Sequence, residues 1–533
     1  MIDPRLQLRA MIGLGVLVVA FALLLVRLWT IQVAGADPWA AAATAQHETG
    51  VRPLRADRGA ITDRHGRVLA RTEERPSLAI DPQVAREAGH VESIARIVAD
   101  EVGVDLGPLV EAATPESRFV WIERKITDGA AVERALERAS AAGLKGLIVQ
   151  HEQVRAYPAG TLASHLVGFA FEDPARGLAG AEGAERLADA RLRGRDGRVA
   201  CERDVRGRWI VRSSADVVAP VPGDDVRLTI DAVVQAFAED EVQRVWDEFD
   251  PVSAVAAVVD VRTGDVLAAA SRPTFDPNDR SAPPEHRRNR FFTDMFEPGS
   301  TFKPVAMAIA IDAGQLSTSE VIDTSPGTIR VERRTIREDK HKDLGRLTPA
   351  GILAEASNVG MAKIALRVGI PRMHASVRLF GFGAPTGTGW TGESPGKMTP
   401  LESWTAAYTL CSVSFGQEIA VTPAQLLASY AALANDGTLR PLRVFVDAPP
   451  RAPVQVVRPE TAQQVVPMLE EVFLSGTASR IDTGGYRLGG KTGTAEQKDR
   501  RGNIEYVGSF GCIGPVEAPR LAVLVVCDRP ANG

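Results

Sequence analysis

The sequence predicts an α/β or α+β domain whose sheet is built from two distant parts of the chain. It stands behind a separate β-rich N-terminal module and one apolar N-terminal helix. Three observations predict this arrangement. An uncharged run from Ala10 to Val26 opens a chain that is otherwise ordinary for a globular protein, 45% hydrophobic and 24% charged. A strand, turn and strand pattern at Val255–Val261, Thr263-Gly264 and Asp265–Ala269 precedes helical stretches from Ser300 to about Ala434. Strand patterns return only at the end, in Tyr486–Thr494, Glu505–Ile513 and Leu521–Cys527. These divisions correspond to residues 1–35, 36–225 and 226–533.

The apolar run is at the short end of what crosses a bilayer. Leu28, Trp29, Ile31 and Val33 extend its apolar face past Arg27, whose long side chain can reach the headgroups. Arg5 and Arg9 precede the run, which predicts a cytoplasmic N-terminus and an extracytoplasmic remainder. A cleaved signal peptide competes, since Ala34-Gly35-Ala36 fits a small-x-small site. That site lies well beyond the run, with Arg27 and Trp29 between, so the anchor reading is preferred. A buried core helix fits poorly with an N-terminal position and basic flanks.

Residues Ala34 to Gly50 read as a juxtamembrane helix or linker. Strand-like pieces follow, with turns at Arg58-Gly59 and His65-Gly66. Residues 84–145 carry Ala, Glu and Arg at helical spacing, and Pro158, Gly160, Gly177 and Gly180 punctuate a loop-rich stretch. Pro220, Pro222 and Gly223 mark a boundary before the strand-like Val226–Ile230.

Charge and cysteines exclude several classes. Lys and Arg total 62 against 67 Asp and Glu, a net charge of −5, unlike a net-basic nucleic-acid binder. Cys201, Cys411, Cys512 and Cys527 form no C-x-x-C pair, which argues against a zinc ribbon or a disulfide scaffold.

Three segments carry chemistry. In Phe296-Glu297-Pro298-Gly299-Ser300-Thr301-Phe302-Lys303-Pro304, Pro298-Gly299 stops the chain and an apolar helix follows. Ser300 then opens the helix, and Lys303 lies one turn later on the same face. The helix N-terminus disfavours further positive charge, so a neutral Lys303 can serve as base for the Ser300 hydroxyl. A bare S-x-x-K also fits a capping serine and a solvated lysine. In Ala356-Ser357-Asn358-Val359-Gly360, Asn358 offers an amide donor and acceptor to a substrate amide and a lysine, although a helix-end cap reads equally well. In Gly489-Gly490-Lys491-Thr492-Gly493-Thr494-Ala495, glycines permit close approach, Lys491 adds positive charge and the threonines add hydroxyls. A β-hairpin edge is the plain alternative. Gly485 to Thr492 also spells a P-loop, but the polar segment after Lys491 predicts no phosphate-binding helix, and too little chain remains for a nucleotide-binding sheet.

In order, S-x-x-K, S-x-N and K-T-G resemble the penicillin-binding protein family. The flanks agree. Asn289-Arg290, Thr293-Asp294 and Phe296 to Pro304 resemble the class B transpeptidase signature. Asp260, Thr263-Gly264, Leu267-Ala268 and Pro273 to Asn278 resemble its first hairpin, and Phe415-Gly416-Gln417, Val421-Thr422-Pro423 and Asn435-Asp436-Gly437 its later core. Arg58 to Gly66 resemble the first box of the N-terminal module. Arg155, Tyr157-Pro158, Gly160, His165 and Gly168-Phe169 resemble the second, and Gly177, Gly180, Glu182 and Leu192-Arg193-Gly194 the third. The charged residues of these boxes read as salt bridges between segments, and His165 as a packed histidine, since no metal-ligand partner sits at ligand spacing. The short N-terminal module is most similar to the cell-division subgroup and its sporulation relatives.

The resemblance implies an antiparallel sheet flanked by helices, a helical subdomain and a pedestal- or dimerisation-like module. It implies a D,D-transpeptidase acting on D-Ala-D-Ala stem peptides of peptidoglycan, without metal or organic cofactor. Ser300, Lys303, Asn358 and Lys491 would be catalytic, and Ser357, Thr492, Gly493 and Thr494 would bind substrate. Backbone N–H groups of Ser300 and Thr494 would stabilise the oxyanion. Lipid-linked precursor, β-lactams as covalent inhibitors, a membrane-embedded glycan polymerase and division proteins are the implied partners. Ala356 stands where the family's second motif has a serine, which leaves Lys303 as the main acid and base or points to a scaffold that has lost its chemistry. A membrane-bound β-lactamase or β-lactam sensor is a third reading, disfavoured by the large N-terminal module. The family also continues past the last strand into a glycine-tyrosine segment and a helix, whereas this sequence stops at Gly533. Closing the last hairpin at Gly514 and Arg520 would set Cys512 opposite position 522 and Cys527 opposite position 507, with no disulfide between them.

Overall fold

The computed structural model describes residues 4–30, 49–105, 119–203, 209–211, 217–279, 281–498 and 504–531. Ile31, Val33, the Ala34-Gly35-Ala36 site, most of the proposed juxtamembrane linker and Gly533 lie outside the described residues. The chain divides into two units, residues 1–57 with 194–223, and residues 58–193 with 224–533.

The first unit contains helix α1 (Pro4–Trp29), whose Met11–Trp29 portion is long and apolar enough to cross a membrane. None of that portion is buried by protein, and Leu14 and Phe21 stand open on its surface. In water such a surface is strongly unfavourable; a bilayer removes the penalty. The same unit holds a small antiparallel sheet in which Thr49–Leu54 pairs with Gly197–Arg203, joined by Val217–Val218 and Trp209–Val211.

The second unit begins with a twisted sheet around the long strand Val68–Ile80. That strand pairs with Ile61–Thr62, Val120–Glu123 and Leu147–Ala156, and Val226–Arg227 runs parallel to Ile61–Thr62. The stretch at residues 84–145 is not wholly helical: Val120–Glu123 interrupts it as a strand between the helices Val91–Val102 and Gly129–Ala141. Its Val120 and Ile122 pack with Leu78, Ile80, Ile94 and Val132, so tertiary packing sets its conformation. Buried Glu185 joins two box arginines, 2.6 Å from Arg58 Nε and 2.6 Å from Arg155 Nε. His165 is buried beside Phe275, its Nε2 2.8 Å from the His286 carbonyl oxygen.

Helix α2 (Ala232–Phe249) follows, capped by Asp231, whose carboxylate accepts from the Val233 and Val234 amides. Strands β1 (Pro251–Asp260) and β2 (Val266–Arg272) form the expected hairpin. After helix α3 (Lys303–Asp312) comes a hairpin of β3 (Thr328–Val331) and β4 (Arg334–Arg337), which interrupts the expected helical stretch. Alternation of Ile329 and Val331 with Thr328 and Arg330 is its signal, diluted by charged residues on the solvent side. Helices α4 (Pro349–Ala354), α5 (Asn358–Val368), α6 (Pro423–Ala434) and α7 (Pro459–Leu474) lead to β5 (Gly489–Lys498), β6 (Ile504–Gly514) and β7 (Leu521–Pro530).

The sheet order is β2-β1-β7-β6-β5, antiparallel throughout. The last strand therefore lies beside the first, and the intervening helices and loops are inserted between β2 and β5. Side chains alternate between faces. Ala254, Ala256, Ala268 and Ala270 meet Ala238 and Val242 of α2, while Val255, Ala257, Val259, Leu524 and Val526 enter the main core. The final hairpin is offset by one residue from the expectation: Gly514 pairs with Leu521, Cys512 with Val523 and Cys527 with Gly508. Arg520 remains in the turn and donates its amide to the Gly514 carbonyl, which lengthens the loop by one residue. All four cysteines are free. Lys491 and Thr492 lie within β5, so a strand stands where a P-loop would start its helix.

Candidate active site

A 3-10 turn, Gly299–Phe302, presents Ser300 and runs directly into α3, with Pro304 in the first helical turn where its missing N–H costs little. The turn is pinned on two sides. Phe296 and Val421 exchange backbone hydrogen bonds of 3.0 and 2.9 Å, and the Gly299 amide donates to the Gly416 carbonyl at 2.9 Å. Thr301 Oγ1 donates to the Pro298 carbonyl at 2.6 Å, and Tyr430 OH donates to the Thr301 carbonyl at 2.8 Å. Two glycines make this fit possible. A Cβ at Gly416 would lie 2.0 Å from the Gly299 oxygen, and one at Gly493 would lie 2.8 Å from the Pro298 oxygen. Ser300 is left facing a cleft, and Lys303 is fully buried.

The second motif is a break between helices. Helix α4 ends, Ala356 takes φ +57°, and Ser357 caps α5 by accepting from the Gly360 amide at 2.9 Å. Lys303 Nζ donates to the Ala356 carbonyl and to Asn358 Oδ1, the latter at 2.9 Å. Glu338, buried just past β4, accepts from the Ser357 hydroxyl and, at 2.6 Å, from the Asn358 amide. Ser357 thus does not reach the cleft with the substrate-binding residues; both its hydrogen bonds serve the helix start and Glu338.

The third motif lies along β5, the sheet edge. Lys491 is buried, and its Nζ donates to the Thr492 carbonyl at 3.2 Å. Thr492 and Thr477 hydroxyl oxygens lie 2.7 Å apart. Thr492, Gly493 and Thr494 face the same cleft as Ser300, Ala356 and Asn358, a cavity of about 590 Å³. Arg337, Glu338, Thr477, Glu496 and Tyr506 also line it. None stands in a recognisable motif: Arg337 and Glu338 belong to a charged run, and Thr477 is an isolated hydroxyl before the last strands.

Two buried lysines give the cleft its electrostatics. Burial, and then the charge of Lys491, holds Lys303 well below the ordinary lysine pKa, with Glu338 and Asp339 opposing that shift. Burial lowers Lys491 to about 7. A neutral lysine amine has two N–H groups and one lone pair. With both N–H groups given to Ala356 and Asn358, the Lys303 lone pair is free to take a proton.

The penicillin-binding protein transpeptidase domain matches residues 254–533, and the penicillin-binding protein dimerisation domain matches residues 53–228. The chain is 33% identical over 533 residues to the peptidoglycan D,D-transpeptidase FtsI of Escherichia coli, covering 97% of this chain and 87% of that protein. It is 32% identical over 485 residues to a probable peptidoglycan D,D-transpeptidase, PbpC, of Pseudomonas aeruginosa, covering 90% and 83%. A solved peptidoglycan synthetase from Bifidobacterium adolescentis superposes with a TM-score of 0.70 at 27% identity, over 91% of this chain and 93% of that one. Three motifs gathered in one cleft, two matched domains and near full-length similarity lead to one statement: this chain belongs to the penicillin-binding protein family, among the class B members of the division subgroup.

Proposed function

We propose that this protein is a membrane-anchored peptidoglycan D,D-transpeptidase that cross-links stem peptides through a Ser300 acyl-enzyme. The observation that carries the reading is the buried Lys303, one turn from Ser300, with its N–H groups engaged by Ala356 and Asn358. Lys303 takes the Ser300 hydroxyl proton as Oγ attacks the carbonyl of the penultimate D-Ala. Amides of Ser300 and Thr494 hold the oxyanion. The C–N bond breaks, and the terminal D-Ala leaves with the proton from Lys303. The amine of a second stem peptide then attacks the ester, an amide forms, and Ser300 regains its proton. Asn358 orients the peptide, while Lys491, Thr492, Gly493 and Thr494 receive the terminal carboxylate.

Residues 1–35 serve as cytoplasmic N-terminus and anchor, 36–225 as a pedestal and 226–533 as the transpeptidase. Basic Arg5 and Arg9 support an extracytoplasmic site, where lipid-linked substrate, a membrane-embedded glycan polymerase and division proteins are the partners.

Labelling with a fluorescent penicillin tests the reading. The intact protein should take one covalent label, and Ser300→Ala none. Folded wild-type protein that stays unlabelled would overturn it in favour of a non-catalytic scaffold, and rapid release of the label would favour a β-lactamase.

A further inference from the structure

The second motif lacks the hydroxyl of a serine at Ala356, so Lys303 depends on two acceptors from one short turn, the Ala356 carbonyl and Asn358 Oδ1. Within that turn, the Ser357 hydroxyl caps the Gly360 amide but makes no hydrogen bond to residue 356 or 358. Ala356 has φ +57°, a conformation disfavoured for a residue with a Cβ. A further hold on it comes from another element. Glu338, at the exit of β4, spans the break with both carboxylate oxygens, one on the Ser357 hydroxyl and one on the Asn358 amide. Glu338 is 3% exposed, lines the cleft, and makes no ion pair with a described Lys or Arg side chain.

We propose that Glu338 is a positioning residue for acyl transfer: its carboxylate fixes residues 356–358 so that both acceptors aim at Lys303. The inference rests on the transpeptidase reading above. A carboxylate suits the place because it presents acceptors to two donors at once, where an amide would turn an N–H toward one of them. Burying it unpaired is costly unless it is fully hydrogen-bonded, and a neutral side chain suffices merely to cap a helix. The charge is therefore the informative part. It acts on Lys303 together with the other charged groups that face it, Lys491 and Asp339. Glu338 and Asp339 favour protonated Lys303; Lys491 disfavours it.

The test compares rates of labelling by a fluorescent penicillin across pH 5–9 for the full-length wild type, Glu338→Gln and Glu338→Asp, with thermal melting on the same preparations. Acylation requires neutral Lys303, so the rate rises with pH through the pKa of that lysine. Glu338→Gln should label about 10- to 100-fold more slowly, and its acidic limb should move to lower pH, because a group that favours protonated Lys303 is gone. Glu338→Asp retains the charge but shortens the reach, so its limb should stay while its rate falls. Wild-type rate and an unchanged limb in a folded Glu338→Gln overturn the inference alone. A slower Glu338→Gln with an unchanged limb also overturns it, since a purely structural brace would do that. If Glu338→Gln does not fold, Glu338→Asp decides by its rate: a full wild-type rate overturns the proposal. A folded wild type that takes no label overturns the transpeptidase reading, and this inference with it.

Discussion

Lys303 Nζ lies 2.9 Å from Asn358 Oδ1, a contact between residues 55 positions apart that joins the helix after Ser300 to the start of α5. Lys303 is fully buried, whereas Asn358 is half-buried at the wall of the cleft, so the contact ties a packed lysine to a residue that a bound peptide can reach. The consequences can be measured.

Lys303→Met keeps an unbranched side chain in the same pocket but removes the proton acceptor and leaves the Ala356 and Asn358 oxygens without their donor. Penicillin labelling at pH 7 should fall by about 10²- to 10⁴-fold, the usual share of general base catalysis. Stopped-time labelling, with circular dichroism to verify the fold, checks it.

The buried Lys491 makes stability depend on pH. Its pKa is about 7 in the folded protein, against about 10.4 in an unfolded chain. Below 7 both states hold the proton and the burial penalty is full. Between the two values the unfolded state binds a proton that the folded state does not, so stability rises with pH, by up to about 1.4 kcal/mol per unit. Lys491→Met should flatten that part of the profile. Urea unfolding midpoints of both proteins from pH 6 to 9 measure the difference.

Gly416→Ala tests the seat of the nucleophile. The added Cβ would stand 2.0 Å from the Gly299 carbonyl oxygen, and Gly416 itself has φ +80°. The Ser300 turn must move, and a displacement of this kind should slow labelling by about 10²-fold. A full labelling rate would show that the turn tolerates the shift.

Glu185→Ala acts on a residue that does not line the cleft. It leaves buried Arg155 without its carboxylate partner and Arg58 with Asp189 alone, a loss of about 3–5 kcal/mol. Thermal unfolding should shift down, while the labelling rate per folded molecule should stay close to that of the wild type.

Much of this arrangement was legible in the chain. The hairpin around Thr263-Gly264 and the late strands carry clear apolar patterns, and Ser300, Lys303, Asn358 and Lys491 stand in spaced motifs whose chemistry is local. Other features depend on tertiary contact. Glu338 lies in a charged run that reads as a solvated surface, yet it is buried because α5 closes over it. Ser357 sits inside a motif but turns to its own helix start. The last hairpin slipped by one position because Arg520 belongs to the turn and not to the strand, a difference that apolar alternation alone cannot count.

The order of the sheet has a consequence for biogenesis. Strand β1 finds its neighbour β7 only after about half of the chain has followed it, and the turn bearing Ser300 packs on Gly493 of β5. Contacts of such high order form late. As the polypeptide emerges N-terminus first, the seat of the nucleophile is incomplete until β5 has been made. A chain that lacks β5 therefore also lacks Lys491 and the Gly493 wall against which the Ser300 turn is held, so the site is assembled from both sides of the inserted helices.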